Sequence, residues 1–350
     1  MTSMHETALA LVAPGRGILA ADESSGTIAK RFDSIGVDST EDARRRYRQL
    51  LFTTPRVGDH ISGAILFDET IRQSADDGRR LVQVLEEAGV IPGIKVDAGA
   101  KPLALFPGET VTEGLDGLRE RLAEYVELGA RFAKWRATIL IGANDLTAND
   151  SNDGVPAAAA IDANAHAMAR YAALCQEAGV VPIVEPEILM DGDHDIGACE
   201  AATGRTLDSL YRALAEARVD LPGSLLKVNM IVPGKGCATQ DDDVTIAEAT
   251  IRCLTACVPA EVPGVVFLSG GMSDEHATSR LNEMNRIGGS GLPWRLSFSY
   301  GRALQAPSLA AWRGEDAHVE AAQAALAHRA RMNGLATSGE YRQDMETSPA

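Results

Sequence analysis

Eight short apolar runs, set along most of the chain and separated by amphipathic stretches, limit the fold more than any other feature. They are GILAAD (17–22), SGAILF (62–67), IPGIKVD (91–97), FAKWRATIL (132–140), VPIVEPEIL (181–189), LLKVNMIV (225–232), GVVFLSGG (264–271) and RLSFSYG (295–301). Between several of them, at 77–89, 114–129, 164–179 and 206–218, apolar residues recur every three or four positions, and most of these stretches stop at glycine. Strand-like runs alternating with helix-like stretches make parallel βαβ units, and eight such units close a barrel. An open doubly wound sheet is the alternative, but it carries a GxGxxG turn after its first strand, and ADESSG stands there instead. The expected fold is α/β, a (β/α)8 TIM barrel in a single domain over residues 1–336. The polar tail 337–350 is expected to be mobile. The polar, then alanine-rich stretch 144–160 reads as a long loop after the fourth strand.

The strands themselves carry charge near their carboxyl ends: Asp22, Lys95, Lys134 with Arg136, Glu185 with Glu187, Lys227, and Arg302 just past the eighth. In a barrel those ends form the face that bears the site. A single internal pair, such as Lys95 with Asp97, would explain one such strand; convergence of six calls for a site. Three lysines directed into one volume repel each other, so at least one is expected to be a neutral amine near pH 7. A neutral amine attacks a carbonyl, and the protonated imine that results draws electrons from a neighbouring carbon–carbon bond. Lys227 is the candidate, because Leu225, Leu226, Val228 and Met230 surround it with apolar side chains. Glu185 and Glu187 are two apart on a strand and share a face, with Pro186 turned away. Their closeness is expected to raise one carboxyl towards neutrality and suit it to proton transfer. Asp22 is expected across the barrel near Lys134 and Lys227, where it can hold a lysine or take a hydroxyl proton. Ser269, Gly270 and Gly271 after the seventh strand, with Gly301 and Arg302 after the eighth, fit a phosphate held by backbone N–H groups and a cation. Lys30 and Arg31 in the first βα connection offer a second anionic contact.

Charge and composition exclude other classes. The 350 residues carry a net charge of −16, with pI near 4.9. That argues against nucleic acid and anionic membrane surfaces as partners. It leaves room for a small anion, because a pocket cluster of cations is screened from the acidic surface over about 10 Å of salt solution. The five cysteines form no CxxC pair, and read as small apolar fillers in a reducing compartment. The apolar run ALALVA (8–13) is short and has no cleavage pattern after it, and nothing approaches the roughly 20 apolar residues of a membrane span. A cytoplasmic location is expected. DGDHD (191–195) offers possible metal ligands, but the seven histidines are scattered with no HxH or HExxH, so it reads as a polar loop. No metal and no cofactor are expected.

The strings GRGILAADESSGTIAKR, ILFDET, GIKVD, GLDGL, FAKWR, VPIVEPEILMDGDHD, LLKVNM, FLSGG and FSYGRALQ together resemble the class I fructose-1,6-bisphosphate aldolases, over residues 15–334. The resemblance implies metal-free, reversible cleavage of the bisphosphate through a Schiff base on Lys227. It implies Glu187 as the acid serving imine formation, Glu185 as its partner, and Asp22 as the base on the hydroxyl during cleavage. Lys134, Arg136 and Lys95 are implied in the active site. Ser269, Gly270, Gly271, Gly301 and Arg302 are implied at one phosphate, and Thr27, Lys30 and Arg31 at the other. Small sugar phosphates are the implied partners and a homotetramer the implied assembly. The chain departs from the pattern in having Val228 where many members carry Pro, in the length of 144–160, and in its tail: eukaryotic members end in a Tyr that folds over the site, whereas the last tyrosine here is Tyr341. A transaldolase-like enzyme acting on a monophosphate is the alternative among imine-forming aldolases, and a non-enzymatic scaffold is the other.

Overall fold

Each of the eight runs is a strand, and the eight close on themselves in the computed structural model, which describes residues 3–142 and 156–347. In chain order the strands are β1 (Gly17–Ala21), β2 (Ile61–Leu66), β3 (Ile91–Lys95), β4 (Ala100–Pro102), β5 (Thr110–Thr112), β6 (Phe132–Ile139), β7 (Val181–Ile188), β8 (Leu225–Val228), β9 (Gly264–Phe267) and β10 (Arg295–Tyr300). The barrel order is β1-β10-β9-β8-β7-β6-β3-β2, every pairing parallel, while β4 and β5 form a separate antiparallel hairpin. The ladder stops earlier than the apolar runs do. At β8 the Asn229 side chain takes over, accepting from Ile188 N at 3.0 Å and donating to Thr203 Oγ1 at 3.3 Å, so the chain turns out of the sheet into the loops of the carboxyl face.

Two of the expected helices begin earlier than periodicity suggested, while those at 77–89 and 114–129 shorten to Leu81–Glu87 and Leu118–Glu127. The stretch expected at 206–218 is helix Ile196–Glu216, which starts where the Asp195 side chain accepts from Ala198 N at 2.8 Å. That at 164–179 is Ala158–Glu177, so the end of the expected loop 144–160 is helical, and most of the rest of it lies outside the described residues.

The amino end of the barrel is closed by helix Met4–Leu11, which is capped by a Ser3–Glu6 box. Ala8, Leu11 and Val12 pack on Ile18, Ile65, Phe132, Val181, Leu225 and Val266 inside the strands. Ser62 Oγ donates to Leu11 O at 2.5 Å and ties the helix end to the rim. Phe132 fills this layer so fully that a Cβ on Gly93 would lie 2.3 Å from its ring. At the other terminus, residues 337–347 follow helix Val319–Ala336; Tyr341 is buried, and its hydroxyl donates to Glu346 at 2.9 Å. Residues 348–350 lie outside the described set. No helix among the described residues is long and apolar enough to cross a membrane.

Candidate active site

The carboxyl ends of the strands open into a cavity of about 1000 Å³. Its wall includes every candidate residue read from the sequence: Asp22, Lys95, Lys134, Arg136, Glu185, Glu187, Lys227, the segments 269–271 and 301–302, and Thr27, Lys30 and Arg31. Strand register brings the ions together. Lys95 of β3 sits opposite Lys134 of β6, and Arg136 and Thr138 sit opposite Glu185 and Glu187 of β7.

At the floor the charges alternate. Asp22 Oδ2 lies 2.7 Å from Lys134 Nζ, which is 3.4 Å from Glu185 Oε2; Glu185 Oε1 in turn lies 3.0 Å from Lys227 Nζ. Lys134, Glu185 and Lys227 are each under 5% exposed, so water cannot replace these partners. Burial alone would raise the Asp22 carboxyl, but the charges of Lys134, Lys227 and Lys95 outweigh it and hold it at about 2. Lys134 is the mirror case: burial lowers its ammonium, and Asp22, Glu185 and Asp97 together raise it above the usual lysine value. The neutral amine expected of at least one lysine is therefore not Lys134. The lysines do converge, but each arrives beside a carboxylate. Lys95 Nζ is held by Asp97, 2.6 Å from Oδ1.

Glu185 and Glu187 share a face, as the two-residue period requires, yet they take different cations. Glu187 accepts from Arg136 Nε higher in the cavity. Burial lowers the Arg136 guanidinium, and Glu187 more than restores it.

Two sides of the mouth suit phosphate. Gly270 and Gly271 take left-handed φ values of 43° and 99°, a tight turn at the cavity wall that residues with side chains rarely adopt. Beside them helix Arg302–Trp312 starts at Gly301 with no side-chain cap, leaving its first N–H groups free for an anion. On the adjoining β1 side, helix Ser25–Asp33 carries Thr27, Lys30 and Arg31; the last two sit in its final turn rather than in a loop, and an Arg31 guanidinium nitrogen comes 3.7 Å from where a Cβ on Gly301 would stand. The 191–195 segment is a polar loop, and among the described residues no group of three or more His, Cys, Asp or Glu could hold a metal ion.

A family model described as fructose-bisphosphate aldolase class-I matches residues 3–350. The chain belongs to the class I fructose-bisphosphate aldolase family. It is 55% identical over 340 residues, 97% of its own length and 98% of the relative's, to a probable fructose-bisphosphate aldolase class 1 of Xanthomonas campestris pv. campestris. It is 50% identical to fructose-bisphosphate aldolase C of Rattus norvegicus, over 97% of this chain and 90% of that one. Among solved structures it superposes with a TM-score of 0.92 on fructose-bisphosphate aldolase from Plasmodium falciparum, at 46% identity, covering 97% of this chain and 95% of the other. That structure is a ternary complex with TRAP and a small-molecule inhibitor. The chain is thus a lyase of glycolysis that reversibly cleaves fructose 1,6-bisphosphate to dihydroxyacetone phosphate and glyceraldehyde 3-phosphate, and it binds sugar phosphates.

Two residues around the aldolase site escaped the candidate list. Asp97 does more than pair with Lys95: it also accepts from Arg136 N at 3.2 Å and Gly99 N at 3.1 Å, so it joins β3, β6 and the approach to the β4–β5 hairpin. Glu23, next to Asp22, is buried; it pairs with Arg31, accepts from Arg48 at 2.5 Å and from Gln305 at 2.8 Å. A carboxylate two residues past a strand end was the available signal in both cases.

Proposed function

We propose that Lys227 is the nucleophile of this aldolase and that Asp22, Glu185, Glu187 and Lys134 move its protons. Nζ of Lys227 attacks the C2 carbonyl of the open-chain sugar. Glu185, 3.0 Å away, takes the amine proton and passes it to the C2 alkoxide, which becomes the hydroxyl of a carbinolamine. Glu187 protonates the departing hydroxyl, water leaves, and a protonated imine forms. Asp22 removes the proton of the C4 hydroxyl; the C3–C4 bond breaks, and its electrons pass into the imine to give an enamine and glyceraldehyde 3-phosphate. Protonation at C3 and hydrolysis then release dihydroxyacetone phosphate and free Lys227. Lys134 holds the Asp22 carboxylate in its ionised form, ready to act as a base. The 269–271 segment with Gly301 and Arg302 takes one phosphate, and Thr27, Lys30 and Arg31 take the other, while Lys95 and Arg136 bind the sugar between them.

The observation that carries this reading is the unbroken run Lys227–Glu185–Lys134–Asp22 on the cavity floor. It links a buried amine to a carboxylate held at about 2, with a proton carrier between them. Borohydride reduction in the presence of dihydroxyacetone phosphate, followed by peptide mass mapping, tests it. A single adduct on Lys227 is expected; an adduct on Lys134 or Lys95 instead would reassign the nucleophile.

A metal-free reaction, a cytoplasmic location and a homotetramer complete the proposal. Plant relatives 52% and 53% identical are named cytosolic or cytoplasmic isozymes, which supports the location. Family membership supports the tetramer, and sedimentation equilibrium at micromolar concentration would measure it.

A further inference from the structure

The loop after β8 is stitched to the loop after β7 by backbone hydrogen bonds: Gly234 N to His194 O, Lys235 N to Met190 O and Gly236 N to Gly192 O, each 2.8 Å. The approach is close enough that a Cβ on Gly234 would lie 2.5 Å from Gly192 O. The DGDHD segment therefore serves as a platform, and the residue it holds in place is Lys235. Where the Lys235 side chain goes is marked by Gly271: a Cβ there would meet Lys235 Nζ at 3.0 Å and an Arg302 guanidinium nitrogen at 3.1 Å. Two cations thus converge on Gly271 in the cavity wall. The Lys235 ammonium is half exposed and donates to Asp191 Oδ1 at 3.2 Å, itself a largely exposed carboxylate. It has no other partner among the described residues.

We infer that Lys235 is a further phosphate-binding residue, acting on the phosphate attached beside the substrate carbonyl and held by Asp191 when the site is empty. This rests on the reading that Lys227 takes the carbonyl and that 269–271 with Arg302 take a phosphate. Lys227 lies in register with Val266 of β9, so the loop after β9 is one of the two that flank the imine carbon. A ketose phosphorylated at C1 carries that phosphate one carbon from C2, within the span of this neighbouring loop. A phosphate dianion offers more charge and more acceptor oxygens than one screened carboxylate, so it draws the ammonium away from Asp191.

The test uses the full-length protein with Lys235→Met, Lys235→Arg and Asp191→Asn variants, and two substrates, fructose 1,6-bisphosphate and fructose 1-phosphate. Lys235→Met should raise KM for both by about tenfold, the worth of one hydrogen bond to a charged group. The effect should fall on KM rather than kcat, and Lys235→Arg should recover most of it. Asp191→Asn should lower KM for both substrates, and the gain should vanish in the double variant with Lys235→Met. An unchanged KM in Lys235→Met would overturn the assignment. So would a rise confined to the bisphosphate, which would put Lys235 at the other phosphate. A gain from Asp191→Asn that persists in the double variant would mean that the carboxylate acts by direct repulsion, and would remove the competition argued here. Borohydride trapping of the wild-type protein separates these outcomes from failure of the Lys227 reading, because a missing adduct there leaves the KM results intact.

Discussion

The two mouths of this barrel are made by the same strands and hold opposite contents. At the amino end Phe132, Ile183 and Leu225 meet a plugging helix in a wholly apolar layer. Two residues further along the same strands and on the same face stand Lys134, Glu185 and Lys227, a layer of buried ions. About 7 Å of strand separates the two layers. Position along the strand, more than strand identity, therefore decides whether an inward side chain packs or reacts. The apolar layer holds the strands in register, and that register is what brings each ion to its counter-ion. Without it, charges this deep would stand unpaired.

Variants at either layer should separate stability from catalysis. The largest effect is expected from Lys227→Met, which should lower kcat by at least about a thousandfold and abolish borohydride labelling. Next, Leu11→Ala at the closed mouth removes a fully buried side chain and should cost about 3 kcal/mol in denaturant unfolding, with kcat of the folded protein unchanged. A matching loss of kcat would mean that the two mouths are coupled. Asp22→Asn probes the link between charge and stability. The native Asp22 carboxyl sits below its unfolded value, so its contribution is present above about pH 4 and is lost as pH falls through about 2. The stability gap between wild type and Asp22→Asn, on the order of 2 kcal/mol at pH 6, should close across that window in acid titrations. The smallest effect is expected at the outer rim. A Lys30→Ala/Arg31→Ala variant should raise KM for fructose 1,6-bisphosphate by about tenfold and leave that for fructose 1-phosphate unchanged. Equal shifts would merge the two phosphate subsites into one.

All eight barrel strands were legible as apolar runs, because a strand covered on both faces needs little but apolar residues. The β4–β5 hairpin was not legible, since three-residue strands have no period to detect. The plugging helix was read only as a short apolar run; its eight residues gain their meaning from a barrel floor that exists only after folding. Charged residues at strand ends gave away the cavity, and the two-residue period put Glu185 and Glu187 on one face. Their ion partners were harder to read. Asp22 beside Lys134 and Asp97 beside Lys95 were legible, but counting lysines suggested mutual repulsion and missed that Glu185 stands between Lys134 and Lys227. Lys235 stayed hidden because its place over Gly271 depends on a loop-to-loop stitch that leaves no pattern along the chain.

The ring of strands closes where β1 pairs with β10, Ile18 against Ser299, joining parts of the chain that the ribosome makes at opposite ends of synthesis. Until the last strand emerges, the first has an open edge, and the helix before it has only part of its floor. A nascent chain halted after β9 should therefore present both an unpaired edge strand and an uncovered apolar helix to chaperones and proteases, and protection should arrive late and all at once when β10 docks.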